Sequence, residues 1–333
     1  MNRTHIIAEA GTNHNARLDT GQALIDVAKA SGADSVKFQI IYPEGLYIPR
    51  LSTSAGFEVN PALERRRQGM LSDAQYADLW THAAELGLPI SASVFDQRGI
   101  DLLVKLGVPY IKLASCDLNN DSLIRSATET GIQVILATGM STLADVEHAV
   151  SVVDRASGAL PVLLHCVSMY PTPPERANVG FVSTLKSTFG TPVGFSDHTE
   201  TDTAAILAVA LGATWFEKHF TLDRSSEGYD HGYAMEPAGL TAYIRSIREA
   251  QGALHTHGEK LSDDELRVAG VARRGLFAAV DLPAGHVLKQ GDVVAVRPAG
   301  VLGPRDLPIV VGSTASRAIE RHTPLSWDLL TMP

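Results

Sequence analysis

Residues 5–40, HIIAEAGTNHNARLDTGQALIDVAKASGADSVKFQI, decide the fold. The run opens apolar and strand-like, turns at Gly11 through polar side chains, carries apolar residues at helical spacing from Asp19 to Ser31, and closes on a second strand-like run, Ser35 to Ile40. Strand, helix and strand in that order make one crossover unit of a parallel sheet. The unit recurs as far as Phe220. Strand-like runs fall at His5 to Ala10, Ser35 to Ile40, Pro89 to Ser93, Tyr110 to Ala114, Gln133 to Ala137, Pro161 to Val167, Pro192 to Ser196 and Thr214 to His219. Helical stretches such as Ser72 to Leu86, Thr142 to Val153 and Thr201 to Leu211 lie between them, and Pro237 to Leu254 closes the series. Eight units predict an α/β fold of the closed (β/α)8 TIM-barrel type rather than an open sheet. Ile41 to Gly69 interrupts the repeat, and its Pro, Gly, Ser and Arg content reads as a loop at the functional end.

The composition agrees with a folded chain. Of 333 residues, 45% are hydrophobic and 20% charged, outside the range of disordered chains. Lys and Arg number 28 against 37 Asp and Glu, a net charge of −9, which argues against a nucleic-acid partner. Two cysteines, Cys116 and Cys166, are too few for a disulfide framework or a thiolate zinc site, and a reducing cytoplasm is the default. The longest apolar stretch, Ala204 to Ala213, is shorter than the roughly 18 to 20 residues that span a bilayer, so no membrane segment is expected. After Arg274 short strand-like runs alternate with turn signals such as Leu282-Pro-Ala-Gly285. The chain is therefore divided into a barrel, 1–254, a linker, 255–273, and a small β-rich domain, 274–333.

In a (β/α)8 barrel the side chains at the carboxyl ends of the strands converge on the mouth. Those positions hold Glu9, Asn13 and His14, then Lys37 and Gln39, Ser93, Lys112 and Ser115. They continue with Thr138, His165, Ser168 and Tyr170, Ser196, Asp197 and His198, and Glu217 and His219. His198 and His219 end neighbouring strands. Together they could share an open divalent-metal site completed by oxygens, or each could hydrogen-bond to a carboxylate such as Asp197 or Glu217. Lys37 and Lys112 sit in apolar strands, where an ammonium needs an anionic partner. A phosphate held with the hydroxyls of Ser93, Ser115 and Ser196 would serve; so would internal pairs with Glu9 or Asp117. A strand-borne lysine can also form a Schiff base. Asp230, in the loop after strand eight, is a candidate catalytic or sugar-binding carboxylate, and His165 reads as a packed histidine.

Six stretches, in order, resemble the sialic acid synthase family: Glu9-Ala-Gly-Thr-Asn-His-Asn15, Val36-Lys-Phe-Gln39, Ala137-Thr-Gly-Met140, His165-Cys-Val-Ser-Met-Tyr-Pro-Thr-Pro173, Gly194-Phe-Ser-Asp-His-Thr199 and Glu217-Lys-His-Phe-Thr-Leu-Asp223. The tail, with Arg273-Arg274, Asp281-Leu-Pro-Ala-Gly285 and Val296-Arg-Pro-Ala-Gly300, resembles the antifreeze-like, β-clip SAF domain of those enzymes. The resemblance implies condensation of phosphoenolpyruvate with an N-acetylated amino sugar, giving a nonulosonic acid and phosphate. It implies a metal, Mn2+ or else Mg2+ or Co2+, on His198 and His219, with Gln39 and Glu217 close by. It places Lys37, Lys112, Ser93, Ser115, Ser168, Tyr170 and Ser196 around phosphoenolpyruvate, and Glu9 and Asp230 on the acceptor. Arg297 would reach the acceptor across a domain-swapped homodimer. Ala137, Tyr229, Ala234, Met235 and Gly275 depart from the family pattern. The middle three alter the surroundings of the sugar and point to a diacetamido deoxyhexose as an alternative to N-acetylmannosamine. A pyruvate aldolase using Lys112 or Lys37, and a carbohydrate-binding protein without catalysis, are the competing readings.

Overall fold

The computed structural model describes residues 4–54, 56–254, 258 and 260–332. Eight parallel strands close a barrel: β1 (His5–Gly11), β2 (Ser35–Ile40), β3 (Ile90–Val94), β4 (Tyr110–Leu113), β5 (Gln133–Ala137), β6 (Val162–His165), β7 (Val193–Asp197) and β8 (Trp215–His219). Each pairs with its sequence neighbour, and β8 pairs with β1 to complete the ring. Four of the outer helices start where capping side chains supply acceptors for free N–H groups. Ser72 and Thr142 form reciprocal capping boxes with Gln75 and Asp145, and Asp96 and Asn120 cap two more. The predicted helix from Thr201 is shorter than read, Thr203–Ala210, and its N-cap residue, Asp202, makes no side-chain hydrogen bond.

The two-residue period of the strands sorts the barrel interior into layers. Ile7, Tyr110, Ile135, Val162 and Leu164 form an apolar cluster in the lower layer, with Trp215 packed against it. Two residues further along the same strands the interior turns polar, at Glu9, Lys37, Lys112, Ser196 and Glu217, all buried. The larger apolar cluster lies between strands and helices, where Phe38, Leu79, Phe195, Phe216 and Ile247 are fully or almost fully covered.

Ile41 to Gly69 is not the open loop expected. It holds a short helix, Pro43–Leu46, a hairpin of Arg50–Thr53 with Gly56–Val59, and a helix, Pro61–Gln68. Asn60 caps the last by accepting from Ala62 N–H at 3.0 Å, and its amide donates to Ile48 O at 2.9 Å.

The described residues fall into two compact units that divide between Leu254 and Gly258. Of the stretch read as a linker, residues 255–257 and 259 lie outside the described residues. Asp263–Ala272 is a helix of the second unit, started by a Ser262 capping box. That unit pairs Gly275–Ala278 with Val293–Val296 and Thr314–Ala315 with Leu330–Thr331, both antiparallel, over its own core of Leu276, Leu282, Leu288, Leu325 and neighbours. No helix among the described residues is long and apolar enough to cross a membrane.

Candidate active site

The polar layer faces a cavity of about 300 Å3 at the carboxyl ends of the strands. Every strand reaches it through its last inward residues or the turn that follows. Strand pairing puts the key groups side by side: Glu9 opposite Lys37 and His219, Gln39 opposite Ser93, Ser93 opposite Lys112, and Glu217 opposite Ser196. Ser115, in a turn after β4, and Ser168 and Tyr170, in the chain after β6, complete the lining.

Charge in this cavity is nearly balanced and held in fixed geometry. Lys37 Nζ lies 2.6 Å from Glu9 Oε2 and 3.5 Å from Glu217 Oε2, and donates to Ser93 Oγ at 2.7 Å. An internal partner for Lys37 is thus present, and it is Glu9. Lys112 does not pair with Asp117, which bonds instead to Asn120; its nearest carboxylate oxygen, Glu217 Oε1, is 3.9 Å away and accepts from Ser196 Oγ at 2.8 Å. Burial pushes Glu9 up to about 7, against the opposing pull of Lys37. Burial acts the same way on Glu217, but Lys112 and Lys37 outweigh it and hold that carboxyl well below the usual range. Although burial opposes it, Lys37 is held above its ordinary value by Glu217 and Glu9.

The two histidines meet at one side of the cavity, their ring centroids 5.5 Å apart. His198 Nδ1 donates to Val167 O at 2.8 Å, which leaves the Nε2 lone pair free. His219 Nδ1 is buried with no hydrogen-bond partner among the described residues and lies 3.9 Å from Asp230 Oδ2. Burial, then the neighbouring His219, lowers His198 to about 4, and burial also lowers His219, so both rings are neutral near pH 7. Neutral imidazole is the form that binds metal. Among the described residues no three His, Cys, Asp or Glu side chains are grouped to hold an ion. Two neutral rings side by side, with His219 Nδ1 unbonded, are donors that could hold a divalent ion. Asp197, weighed as a partner for a histidine, faces the opposite side of the sheet.

A second cavity, about 570 Å3, shares Gln39, Tyr170 and His219 with the first. Asp230, Arg66, Tyr229 and Tyr233 supply its polar edge, and Ile41, Leu46 and Phe95 an apolar wall. Tyr233 donates to Asp230, and the Arg66 guanidinium lies 3.7 Å from the centre of the Tyr229 ring. Glu9 lines the first cavity and not this one, so its position is with the lysines.

Other sequence-derived positions fall elsewhere. Asn13 is turned out of both cavities, its amide donating to Phe220 O at 2.9 Å. His165 stacks on Phe195 and bonds Ala177 O, as a packed histidine would. Arg297 lies exposed at the end of a strand of the second unit. Ile41, Leu46, Arg66, Phe95 and Tyr233 were missed by sequence reasoning. Their shared signal is that each follows a barrel strand's carboxyl end, in connections with no periodicity to fix a side chain's direction.

The NeuB family matches residues 24–259 and the SAF domain matches 273–331. The chain is 36% identical to a protein of Methanocaldococcus jannaschii, over 98% of this chain and 94% of the other. It is 34% identical to the N,N'-diacetyllegionaminic acid synthase of Legionella pneumophila, over 97% of this chain and 93% of that one. The crystal structure of the N-acetylneuraminic acid synthetase of Leptospira borgpetersenii superposes with a TM-score of 0.72 at 30% identity, covering 80% of this chain and 90% of that chain. With this barrel, this tail and these relatives, the chain belongs to the NeuB family of enzymes and carries a SAF domain.

Proposed function

We propose that the chain condenses phosphoenolpyruvate with an N-acetylated amino sugar, forming a nonulosonic acid and phosphate. The observation that carries this reading is the buried Lys37–Lys112 pair, which faces the two histidines across one cavity and adjoins a second, larger cavity. Lys112 meets its nearest carboxylate, Glu217, only at 3.9 Å, so its ammonium keeps hydrogen-bonding capacity for an anion, and Ser93 and Ser115 add hydroxyl donors. The second cavity takes the sugar. Carbon 3 of the enol phosphate attacks the aldehyde carbon, water adds at carbon 2, and collapse of that adduct expels phosphate by carbon–oxygen cleavage. His198 and His219 would hold a divalent cation, Mn2+ ahead of Mg2+ or Co2+, which supplies Lewis-acid activation of a carbonyl when bound. Glu9, with a carboxyl near 7, stands ready to give or take a proton beside the reacting carbons. Gln39 holds Glu9 Oε1 by a 3.2 Å bond.

For the acceptor we favour a diacetamido deoxyhexose over N-acetylmannosamine. The apolar wall of Ile41, Leu46 and Phe95 suits methyl groups better than hydroxyls, and the Legionella relative is named for a diacetylated acid as its product. For the Schiff-base alternative, Lys37 is held charged and is therefore a poor nucleophile, which leaves Lys112 as the lysine that borohydride trapping would have to label. The reading also places the enzyme in the cytoplasm as a homodimer, with Arg297 of each chain reaching the acceptor held by the other. Phosphate release with a panel of N-acetylated and diacetamido hexoses, and product identification by mass, tests the whole reading. No phosphate released with any acceptor, or a borohydride-trapped pyruvate adduct on lysine, would refute it.

A further inference from the structure

Among the described residues, a buried ion pair lies outside both cavities. Lys218 of β8 and Asp197 of β7 are direct cross-strand partners. By alternation they face outward while Ser196, Glu217 and His219 face the cavity. They are 2% and 1% exposed, and the Lys218 ammonium lies 5.0 Å from the ring of Tyr243 on the helix Pro237–Ala253. Lys218 Nζ is 3.3 Å from Asp197 Oδ2 and also donates to Thr199 O. Asp197 Oδ1 accepts from Thr199 N–H at 2.8 Å.

These contacts grip the backbone on both sides of His198, the residue between Asp197 and Thr199. The same lysine is the chain neighbour of His219. A methionine or leucine at 218 would fill the space without desolvating a charge, and packing alone would favour it. What an ammonium adds is direction, because it binds one carboxylate and one carbonyl on the adjacent strand and its turn. We infer that Lys218 and Asp197 are positioning residues that fix, from behind the sheet, the separation of the His198 and His219 rings and so the affinity for the cation assigned to them. The inference rests on the metal reading above.

The test is a Mn2+ titration of the full chain by calorimetry, with the electron paramagnetic resonance signal of bound Mn2+ as a second readout. Wild type is compared with Lys218→Met, Asp197→Asn and the Asp197→Asn/Lys218→Met double variant, each with its thermal midpoint. The double variant leaves no buried charge unpaired, so it should regain most of the midpoint lost by Lys218→Met. Its Mn2+ affinity should stay about 10-fold or more below wild type. A folded double variant that binds Mn2+ as tightly as wild type, with the same resonance signal, overturns the positioning role while leaving the metal reading intact. Wild type that binds no Mn2+ overturns the metal reading and this inference with it. Should Lys218→Met fail to fold, the double variant and Asp197→Asn carry the same comparison.

Discussion

Lys112 Nζ stands 3.9 Å from Glu217 Oε1, while Lys37 Nζ holds Glu9 Oε2 at 2.6 Å, so the two buried ammoniums of one cavity are unequally compensated. The less compensated one has more to gain from a bound anion. Lys112→Met should raise KM for phosphoenolpyruvate about 10- to 100-fold, the worth of a charge-assisted hydrogen bond of about 1.5–3 kcal/mol. Steady-state kinetics at saturating acceptor check this, and an unchanged KM would remove Lys112 from the anion site.

Gly139 gives a steric test of the same site. A Cβ there would lie 2.5 Å from Ser168 Oγ and 2.8 Å from both Ser115 Oγ and Cys166 Sγ, and the Gly139 N–H donates to Ser115 Oγ at 3.0 Å. Gly139→Ala should therefore displace the two serine hydroxyls and weaken donor binding about tenfold or more, at a cost of about 1–3 kcal/mol in stability. Donor KM and thermal midpoint, measured together, separate the two effects.

Metal affinity should be unusually tolerant of acid. His198 is lowered to about 4, so protons compete for its nitrogen only as pH approaches that value, well below the ordinary 6.5. Because burial also lowers His219, Mn2+ binding is expected to persist as pH falls through 6.5, where ordinary imidazoles would begin to lose it, and to fall at lower pH. Calorimetric titrations above and below pH 6.5 provide the check, and His198→Ala and His219→Ala should each abolish both binding and turnover.

Acid should destabilise the fold through His14. The ring is fully buried against Phe38 and Tyr76, and burial lowers it to about 4. A folded-state value below the unfolded one means that stability is complete above about 6.5 and is lost as pH falls through the folded value. The loss reaches about 3 kcal/mol, from about 2.5 pH units. Urea midpoints from pH 7 to 4 should fall more steeply for wild type than for His14→Asn.

Exchange of the second unit between chains has a direct signature. His198→Ala and Arg297→Ala chains, each inactive or weak alone, should regain activity when co-refolded, because one of the two mixed sites then has an intact barrel and an intact arginine. Mixtures no better than the sum of their parts would argue against the exchange.

The barrel was legible because β-branched runs recur with helical segments between them, and the period of two then decides which side chains face inward. That is why Glu9, Lys37, Lys112, Ser196 and Glu217 could be placed together from strand position alone. Lys37 shows the limit of the same logic: the strand told where its ammonium points, whereas the choice between Glu9 and a phosphate needed three dimensions. Asn13 shows another limit: a polar residue just past a strand end can bond the backbone at the end of the adjacent strand, as its amide does at Phe220 O, and sequence position does not tell this from a ligand contact. Leu46 and Arg66 lay in a segment whose proline and glycine content looked like open loop, although Asn60 and the hairpin give it regular structure.

The wall that Ile41, Leu46 and Arg66 lend to the larger cavity comes from an insertion between two barrel strands, whereas both lysines and both histidines come from the strands or the residues that end them. On the proposed reading, part of the acceptor's surroundings is therefore written apart from the reacting groups, the rest coming from Phe95 and from Tyr229 to Tyr233. A graft of residues 41–69 together with 229–235 from a relative with a different preference should carry that preference across while leaving both lysines and both histidines where they stand, and 41–69 alone should carry only part of it.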